Sequence, residues 1–340
     1  MQEKKRVQWV DIAKGLTILL VVFGHALQGV VDSQSITLFS SANSLYIGKQ
    51  IIYSFHMPLF FFLSGIFSQF IYRNVRVVVS SRVHRIVFPY FIWSLVLAIC
   101  MQIASRYTTN GLGLRQFLLS PFIPFSEYWF LYVLFFIEMF YLLVHQIFPQ
   151  RVLSISFAVG LGLFILIPFL PSFWILPFFS EYLVFFASAT ILSNELMKKR
   201  IRDILVHPLI IVGSLLLFIV SMFGLVQLLK MEDAIWLDYF LLVTSFLGGA
   251  FIIEVSMLLE KLRVRRFSDI LSSLGRNSMK IYVMHLVPLA GLRIVFLRIF
   301  GVSQLWIVVL VTFMAAMLIC WIGEIVISKL HLNAILFGQS

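Results

Sequence analysis

The chain has 340 residues, of which 61% are hydrophobic and 12% are charged. Soluble domains are about 45–50% apolar and about 25% charged, and a soluble enzyme of this length could not bury so much apolar surface, because roughly a quarter of the unfolded surface stays in water. These values exclude a soluble single-domain enzyme, a disordered regulator and a secreted disulfide scaffold. They predict an all-α bundle of membrane-spanning helices.

Ten segments are apolar over the length of about 20 residues that a spanning helix requires. A cleaved signal peptide is not expected, because Asp11 and Lys14 interrupt the start of the first apolar run and no small-residue cleavage pattern follows it. We expect residues 1–340 to form a single membrane-embedded domain, with no fused extracytoplasmic domain. The predicted spans cover roughly 11–31, 47–71, 86–104, 127–148, 152–171, 173–192, 208–229, 237–259, 278–299 and 304–328.

The distribution of Lys and Arg predicts the orientation of these spans. With the N-terminus inside, 20 of the 26 Lys and Arg residues lie on the cytoplasmic side, as the positive-inside rule requires. Both termini are therefore expected in the cytoplasm. The same bias, together with attraction to anionic lipid headgroups, accounts for the net charge of +11, so no nucleic-acid partner is expected. Cys100 and Cys320 lie in apolar runs and predict neither a disulfide nor a metal site.

Ionisable side chains inside a bilayer are costly and are candidates for function. In the first span, Asp11, Lys14 and His25 share one helical face. Lys14 and His25 are about 20° from alignment and about 16 Å apart along the helix axis. One extended ligand could contact both side chains. The alternative is a snorkelling lysine and a hydrogen-bonded core histidine.

The second span contains His56-Met57-Pro58 and, one to two turns later, Ser64-Gly65. Pro58 removes one backbone donor and predicts a kink, whereas Ser64 and Gly65 allow a close approach of another helix. A kinked packing helix without a catalytic role explains the same pattern.

Arg82 and Arg85 precede Pro89 in the loop expected before the third span. Residues three apart on a short helix face the same way, and two guanidinium groups match the oxygens of a phosphate bidentately. The alternative is cytoplasmic positive charge without a ligand.

Further candidates lie in later spans. Trp129, within Tyr128-Trp129-Phe130, is typical of an aromatic belt at the outer membrane interface, and Glu138 lies about two to three turns deeper. In the ninth span, His285 follows Tyr282 by three residues. His285 is either an interhelical hydrogen-bond partner or a second catalytic group.

In this order and spacing, the motifs resemble the integral-membrane acyltransferase family 3, and especially its polysaccharide O-acetyltransferase branch. The resemblance covers roughly residues 6–330. The motifs that carry it are Asp11-x-x-Lys14-Gly15 with His25, His56-Met57-Pro58-Leu59-Phe60-Phe61-Phe62-Leu63-Ser64-Gly65, Arg82-x-x-Arg85 before Pro89, Tyr128-Trp129-Phe130-Leu131, and Asn277-Ser278 leading to Tyr282-x-x-His285.

This resemblance implies a bacterial cytoplasmic-membrane enzyme. Its donor would be acetyl-CoA or another acyl-CoA, acting as a co-substrate, and its acceptor a sugar hydroxyl of an envelope polysaccharide or of a lipid-linked precursor. The resemblance also implies a catalytic role for His25 and binding of the donor by Lys14, Arg82 and Arg85. Many members have arginine where this chain has Lys14, which keeps the charge but loses the bidentate fork. No bound cofactor and no metal are expected.

The expected mechanism is general-base catalysis by His25, since an imidazole pKa of roughly 6.5 suits proton transfer near neutral pH. An acyl-histidine intermediate is the competing version. His285 and Glu138 are further catalytic candidates, and the supporting residues would be Asp11, His56, Ser64, Trp129 and Tyr282. Ten spans with intramembrane His and Glu also fit a secondary transporter or a glycan-lipid flippase. The acceptor sugar, the side of transfer and the oligomeric state stay open.

Overall fold

A computed structural model of the chain describes residues 7–68, 73–104, 113–231, 234–262 and 264–338. Within these ranges there is no β-strand, and the fold is an all-α polytopic bundle, as predicted. Nine helices in the described part of the chain are long and apolar enough to cross a membrane.

The helices follow one another with short connections. In chain order they are α1 (Gln8–Ser33), α2 (Asn43–Tyr53), α3 (His56–Gly65), α4 (Val75–Ile103), α5 (Leu114–Leu118), α6 (Ser126–Ile147), α7 (Val152–Phe169), α8 (Leu176–Met197), α9 (Lys199–Leu205), α10 (Pro208–Met231), α11 (Ala234–Leu262), α12 (Arg265–Arg276), α13 (Ser278–Ile299), α14 (Leu305–Lys329) and α15 (Asn333–Phe337). Eight of the ten predicted spans agree with these helices to within five residues at each end.

The predicted span 47–71 is not one helix but two, α2 and α3, which meet at a break at Ser54 and Phe55. Pro58 has no N–H to donate to the carbonyl of Ser54. That carbonyl instead accepts a hydrogen bond of 2.5 Å from the hydroxyl of Ser245 on α11. A tertiary contact thus satisfies the backbone group that the proline leaves unpaired. The predicted end of this span at residue 71 lies outside the described residues.

The third predicted span, 86–104, begins eleven residues earlier than expected. Asn74 caps α4, because its side chain accepts a hydrogen bond from the N–H of Arg76 at 2.9 Å. Arg82 and Arg85 therefore lie inside a membrane helix and not in a loop. The stretch Val83–Val87 of α4 is a π-helical turn.

The first helix, α1, lies in the middle of the bundle and contacts α2, α3, α11, α12, α13 and α14. Its crossing with α12 is close because both helices present a glycine there. A Cβ on Gly15 would overlap the carbonyl oxygen of Leu271, and a Cβ on Gly275 would overlap the carbonyl oxygen of Asp11. The polar face of α1 is consequently enclosed by other helices and shielded from lipid.

The close approach predicted at Ser64-Gly65 is confirmed. A Cβ on Gly65 would overlap the carbonyl oxygen of Phe186, so only glycine lets α3 pack this tightly on α8. The hydroxyl of Ser64 bonds back to the carbonyl of Phe60 at 2.8 Å.

Candidate functional site

A cavity of about 480 Å³ brings together six of the predicted site residues from five different helices. We call it the basic cavity, because Lys14, Arg82 and Arg85 all contribute to its wall. Its lining consists of Lys14, Phe60, Ser64, Phe67, Arg82, Arg85, Ile86, Phe130, Leu131, Leu134, Glu138, Ser278, Met279 and Tyr282.

The π-helical turn places the two arginines in this wall. Pro89 cannot donate a hydrogen bond to the carbonyl of Arg85 four residues earlier. The N–H of Phe88 instead bonds to the carbonyl of Val83, five residues back, which widens the helix by one residue. Turns of this kind are frequent at functional sites. The expectation that Arg82 and Arg85 face the same way is confirmed.

A buried carboxylate faces the first of these arginines. Glu138 is only 3% exposed, and one of its oxygens lies 3.1 Å from Nε of Arg82. In the same cavity, Nζ of Lys14 lies 5.3 Å from the centre of the Phe67 ring, a cation–π distance. With three cations and one carboxylate, the basic cavity carries a net positive charge and suits an anionic ligand.

Three histidines and a tyrosine form a second group, which we call the imidazole cluster: His25, Tyr53, His56 and His285. The ring centres of His25 and His285 are 5.2 Å apart. The hydroxyl of Tyr53 lies 2.9 Å from Nδ1 of His25, and its ring lies 4.7 Å from that of His56. The structure thus joins the histidines predicted from three separate spans.

Hydrogen bonds to backbone carbonyls assign the tautomers of two of these rings. Nδ1 of His56 donates to the carbonyl of Ile52 at 2.7 Å, and Nδ1 of His285 donates to the carbonyl of Ile281 at 3.2 Å. A neutral ring bound in this way carries its lone pair on Nε2. Nε2 of His285 is buried and has no hydrogen-bond partner among the described residues. His25, in contrast, is partly exposed.

Tyr282 links the basic cavity to the imidazole cluster. It lines the cavity, and its ring centre lies 5.9 Å from that of His285. Its hydroxyl donates to the backbone carbonyl of Glu127, and its ring packs edge-on against Phe130 at 5.5 Å. Lys14 therefore faces the cavity and His25 belongs to the cluster, with Tyr282 and His285 connecting the two.

The aromatic-belt interpretation of Tyr128-Trp129-Phe130 is wrong for Tyr128 and Phe130. Tyr128 is fully buried and donates a hydrogen bond of 2.7 Å to the carbonyl of Val283, and Phe130 lines the basic cavity. Trp129 stacks on Phe178 and Tyr182 at 4.8 and 5.2 Å between ring centres. These side chains pack α6 against α8 and α13.

Tyr53 is a site residue that the sequence motifs did not predict. The available signal was its position three residues before His56, close to Pro58. A continuous helix through this segment would have placed the two rings on one face without indicating a contact with His25. That contact depends on the break between α2 and α3.

The other supporting residues lie at the edge of the site. Asp11, one turn before Lys14, contributes its backbone carbonyl to the crossing with Gly275, and Ser64 lines the basic cavity. In the described part of the chain, no group of three or more His, Cys, Asp or Glu side chains is placed to hold a metal ion.

Comparison with known proteins gives one match. A family model described as "Acyltransferase domain" (Acyl_transf_3) matches residues 7–325. No curated protein and no solved structure matches the chain. The match covers nearly the whole length and agrees with the family suggested by the motifs. It also favours an enzyme over the transporter or flippase interpretation.

Proposed function

Since the chain belongs to this acyltransferase family and is a multi-pass membrane enzyme, we propose that it is an O-acetyltransferase. The donor is cytoplasmic acetyl-CoA. The acceptor is a sugar hydroxyl of a cell-surface polysaccharide or of its lipid-linked precursor, and the membrane is the bacterial cytoplasmic membrane.

The observation that carries this proposal is the basic cavity with the imidazole cluster beyond Tyr282. An acyl-CoA has phosphates at one end, a long neutral arm and a thioester at the other end. Lys14, Arg82 and Arg85 are suited to the phosphates, because guanidinium and ammonium groups form charge-assisted hydrogen bonds with them. The neutral arm then runs along Phe130 and Tyr282 toward the histidines.

The chemistry assigned to the cluster is general-base catalysis. His25 takes the proton of the sugar hydroxyl while the sugar oxygen attacks the thioester carbonyl. The carbon–sulfur bond breaks, the new carbon–oxygen ester bond forms, and the imidazolium returns the proton to the departing thiolate. His25 is assigned this role because it is the partly exposed histidine of the cluster, whereas His56 and His285 are at most 1% exposed. His285, with a buried lone pair on Nε2, is the second candidate for proton transfer.

The first test is acetyl transfer by membranes that contain the protein. Membranes are incubated with radiolabelled acetyl-CoA, and alkali-labile label is counted in the glycan fraction. We expect His25→Ala to reduce transfer at least 100-fold, since a positioned acid–base group contributes about 10²–10⁴-fold. His207→Ala, which changes an exposed histidine outside both sites, is the matched control and is expected to retain full activity.

Full transfer by His25→Ala would remove this residue from the chemistry. The unaltered protein is also assayed with succinyl-CoA and with a longer acyl-CoA. Label in the glycan fraction from one of these donors, and none from acetyl-CoA, would contradict acetyl-CoA as the donor. Comparison of the ester groups on surface glycans by NMR, with and without the gene, identifies the acceptor.

A further inference from the structure

We propose that Tyr53 is the positioning residue that fixes the ring orientation of His25 through its contact with Nδ1. This inference rests on the proposed role of His25 as general base. It concerns a residue that no sequence motif marks, and it assigns to a phenol the task that a carboxylate performs in many hydrolase triads.

The three histidines of the imidazole cluster differ in the partner of Nδ1. His56 and His285 both use Nδ1 to bond a carbonyl four residues earlier in their own helices. His25 instead places Nδ1 2.9 Å from the hydroxyl of Tyr53, on a different helix. Of the three histidines in the imidazole cluster, His25 is therefore the one whose ring is oriented by another side chain.

The contact with Tyr53 occupies Nδ1 of His25 and leaves Nε2 for the proton transfer. If Nδ1–H of His25 donates to the Tyr53 oxygen, the lone pair of the neutral imidazole lies on Nε2. The same bond persists when Nε2 takes a proton, so the ring does not have to reorient during transfer. Without a partner at Nδ1, the ring can rotate, which lowers the fraction of molecules in which His25 is oriented to act as a base.

Tyr53 is itself held in place by its neighbours. Its ring packs edge-on against both neighbouring imidazoles, with ring centres 5.9 Å from His25 and 4.7 Å from His56. It is the last residue of α2, directly before the break at Ser54, and the Ser54 carbonyl is bonded to Ser245 of α11. The break that follows from Pro58 thus sets the direction of the Tyr53 side chain.

A neutral hydroxyl also suits this environment better than a carboxylate. An ionised carboxylate buried in a membrane protein carries a large desolvation cost unless a cation pairs with it. The buried Glu138 has such a cation in Arg82. No cation is in hydrogen-bond contact with Tyr53 in the described part of the chain, and a phenol needs none.

The test is Tyr53→Phe, which keeps the ring contacts and removes only the hydroxyl. We expect kcat for acetyl transfer to fall about 10- to 100-fold, while the KM for acetyl-CoA stays within about twofold because the basic cavity is untouched. The thermal unfolding midpoint in detergent should stay near that of the unaltered protein. Tyr46→Phe, on the same helix and outside the cluster, is the matched control and should change neither constant.

Two outcomes would overturn the inference. An unchanged kcat in Tyr53→Phe would show that the hydroxyl does not orient His25. A fall in kcat accompanied by an equal rise in KM and a lowered unfolding midpoint would show a structural role. Because His25→Ala is assayed in parallel, the two proposals fail separately: an inactive His25→Ala with a fully active Tyr53→Phe rejects only the positioning role. Full activity in both variants rejects the base itself.

Discussion

Glu138 is a carboxylate in the wall of a cavity that three cations line, and its geometry indicates what it does there. Its contact with Arg82 is through Nε, at 3.1 Å. Nε lies on the opposite side of the guanidinium from the fork of terminal amino groups with which arginine binds phosphate bidentately. Glu138 is therefore suited to aim Arg82 into the basic cavity. Its earlier assignment as a catalytic residue stays a prediction.

Replacement of Glu138 by Gln distinguishes these two roles. If Glu138 orients Arg82, Glu138→Gln should raise the KM for acetyl-CoA about tenfold, equivalent to about 1.4 kcal/mol, and leave kcat within about twofold. If Glu138 is instead a general acid or base, kcat should fall and KM should stay constant. Steady-state kinetics with purified protein provides the measurement, and Glu195→Gln, an exposed carboxylate paired with Lys198, serves as the control.

At the level of the helices, the close crossing of α1 and α12 positions the site. Gly15 and Gly275 let the two backbones approach so closely that neither position has room for a methyl group. Lys14 lies directly beside this crossing. The direction of its side chain into the basic cavity therefore depends on how tightly α1 and α12 pack.

Alanine substitution at these glycines tests the importance of the crossing. Gly275→Ala should destabilise the protein by about 1–3 kcal/mol, the usual cost of overpacking, because the carbonyl of Asp11 is rigid backbone. Gly213→Ala, inside α10 with no atom near its Cβ position, should be neutral or slightly stabilising, since alanine is the better helix former. Thermal unfolding in detergent measures both. Equal midpoints for the two variants would show that the helices can separate without loss of stability.

The sequence predicted the helices well and their interruptions poorly, for a physical reason. Spans and the shared face of Lys14 and His25 follow from local apolar length and helical period, which the chain itself displays. The break before His56 and the π-helical turn after Arg82 also have a local signal, in Pro58 and Pro89. Their form, however, depends on distant partners such as Ser245. The contact of Tyr53 with His25 follows from the break and could not be derived without it.

For the molecule as a whole, the predicted cytoplasmic ends of three spans converge on one cavity. Lys14 of α1, Arg82 and Arg85 of α4, and Ser278 of α13 all line it. A single orientation of the chain, chosen from the distribution of Lys and Arg, is expected to place all three ends on the cytoplasmic side. We therefore expect the basic cavity to face the cytoplasm. His25 is about 16 Å further along α1 than Lys14, and we expect it to lie toward the opposite side of the membrane.

This arrangement predicts sidedness of donor use. Acetyl-CoA does not cross membranes, so inverted vesicles, which expose the cytoplasmic face, should transfer label from it without detergent. Right-side-out vesicles should do so only after permeabilisation, and the ratio of their rates before and after detergent gives the fraction of accessible sites.

Arg85→Gln should lower the rate in inverted vesicles at limiting acetyl-CoA and reach nearly the unaltered rate at saturation. Arg76→Gln is the control and should leave the rate unchanged at both concentrations, since Arg76 is an exposed arginine on the same helix that does not line the cavity. Transfer by sealed right-side-out vesicles would place the donor site on the outer face and contradict the orientation derived from the positive charges.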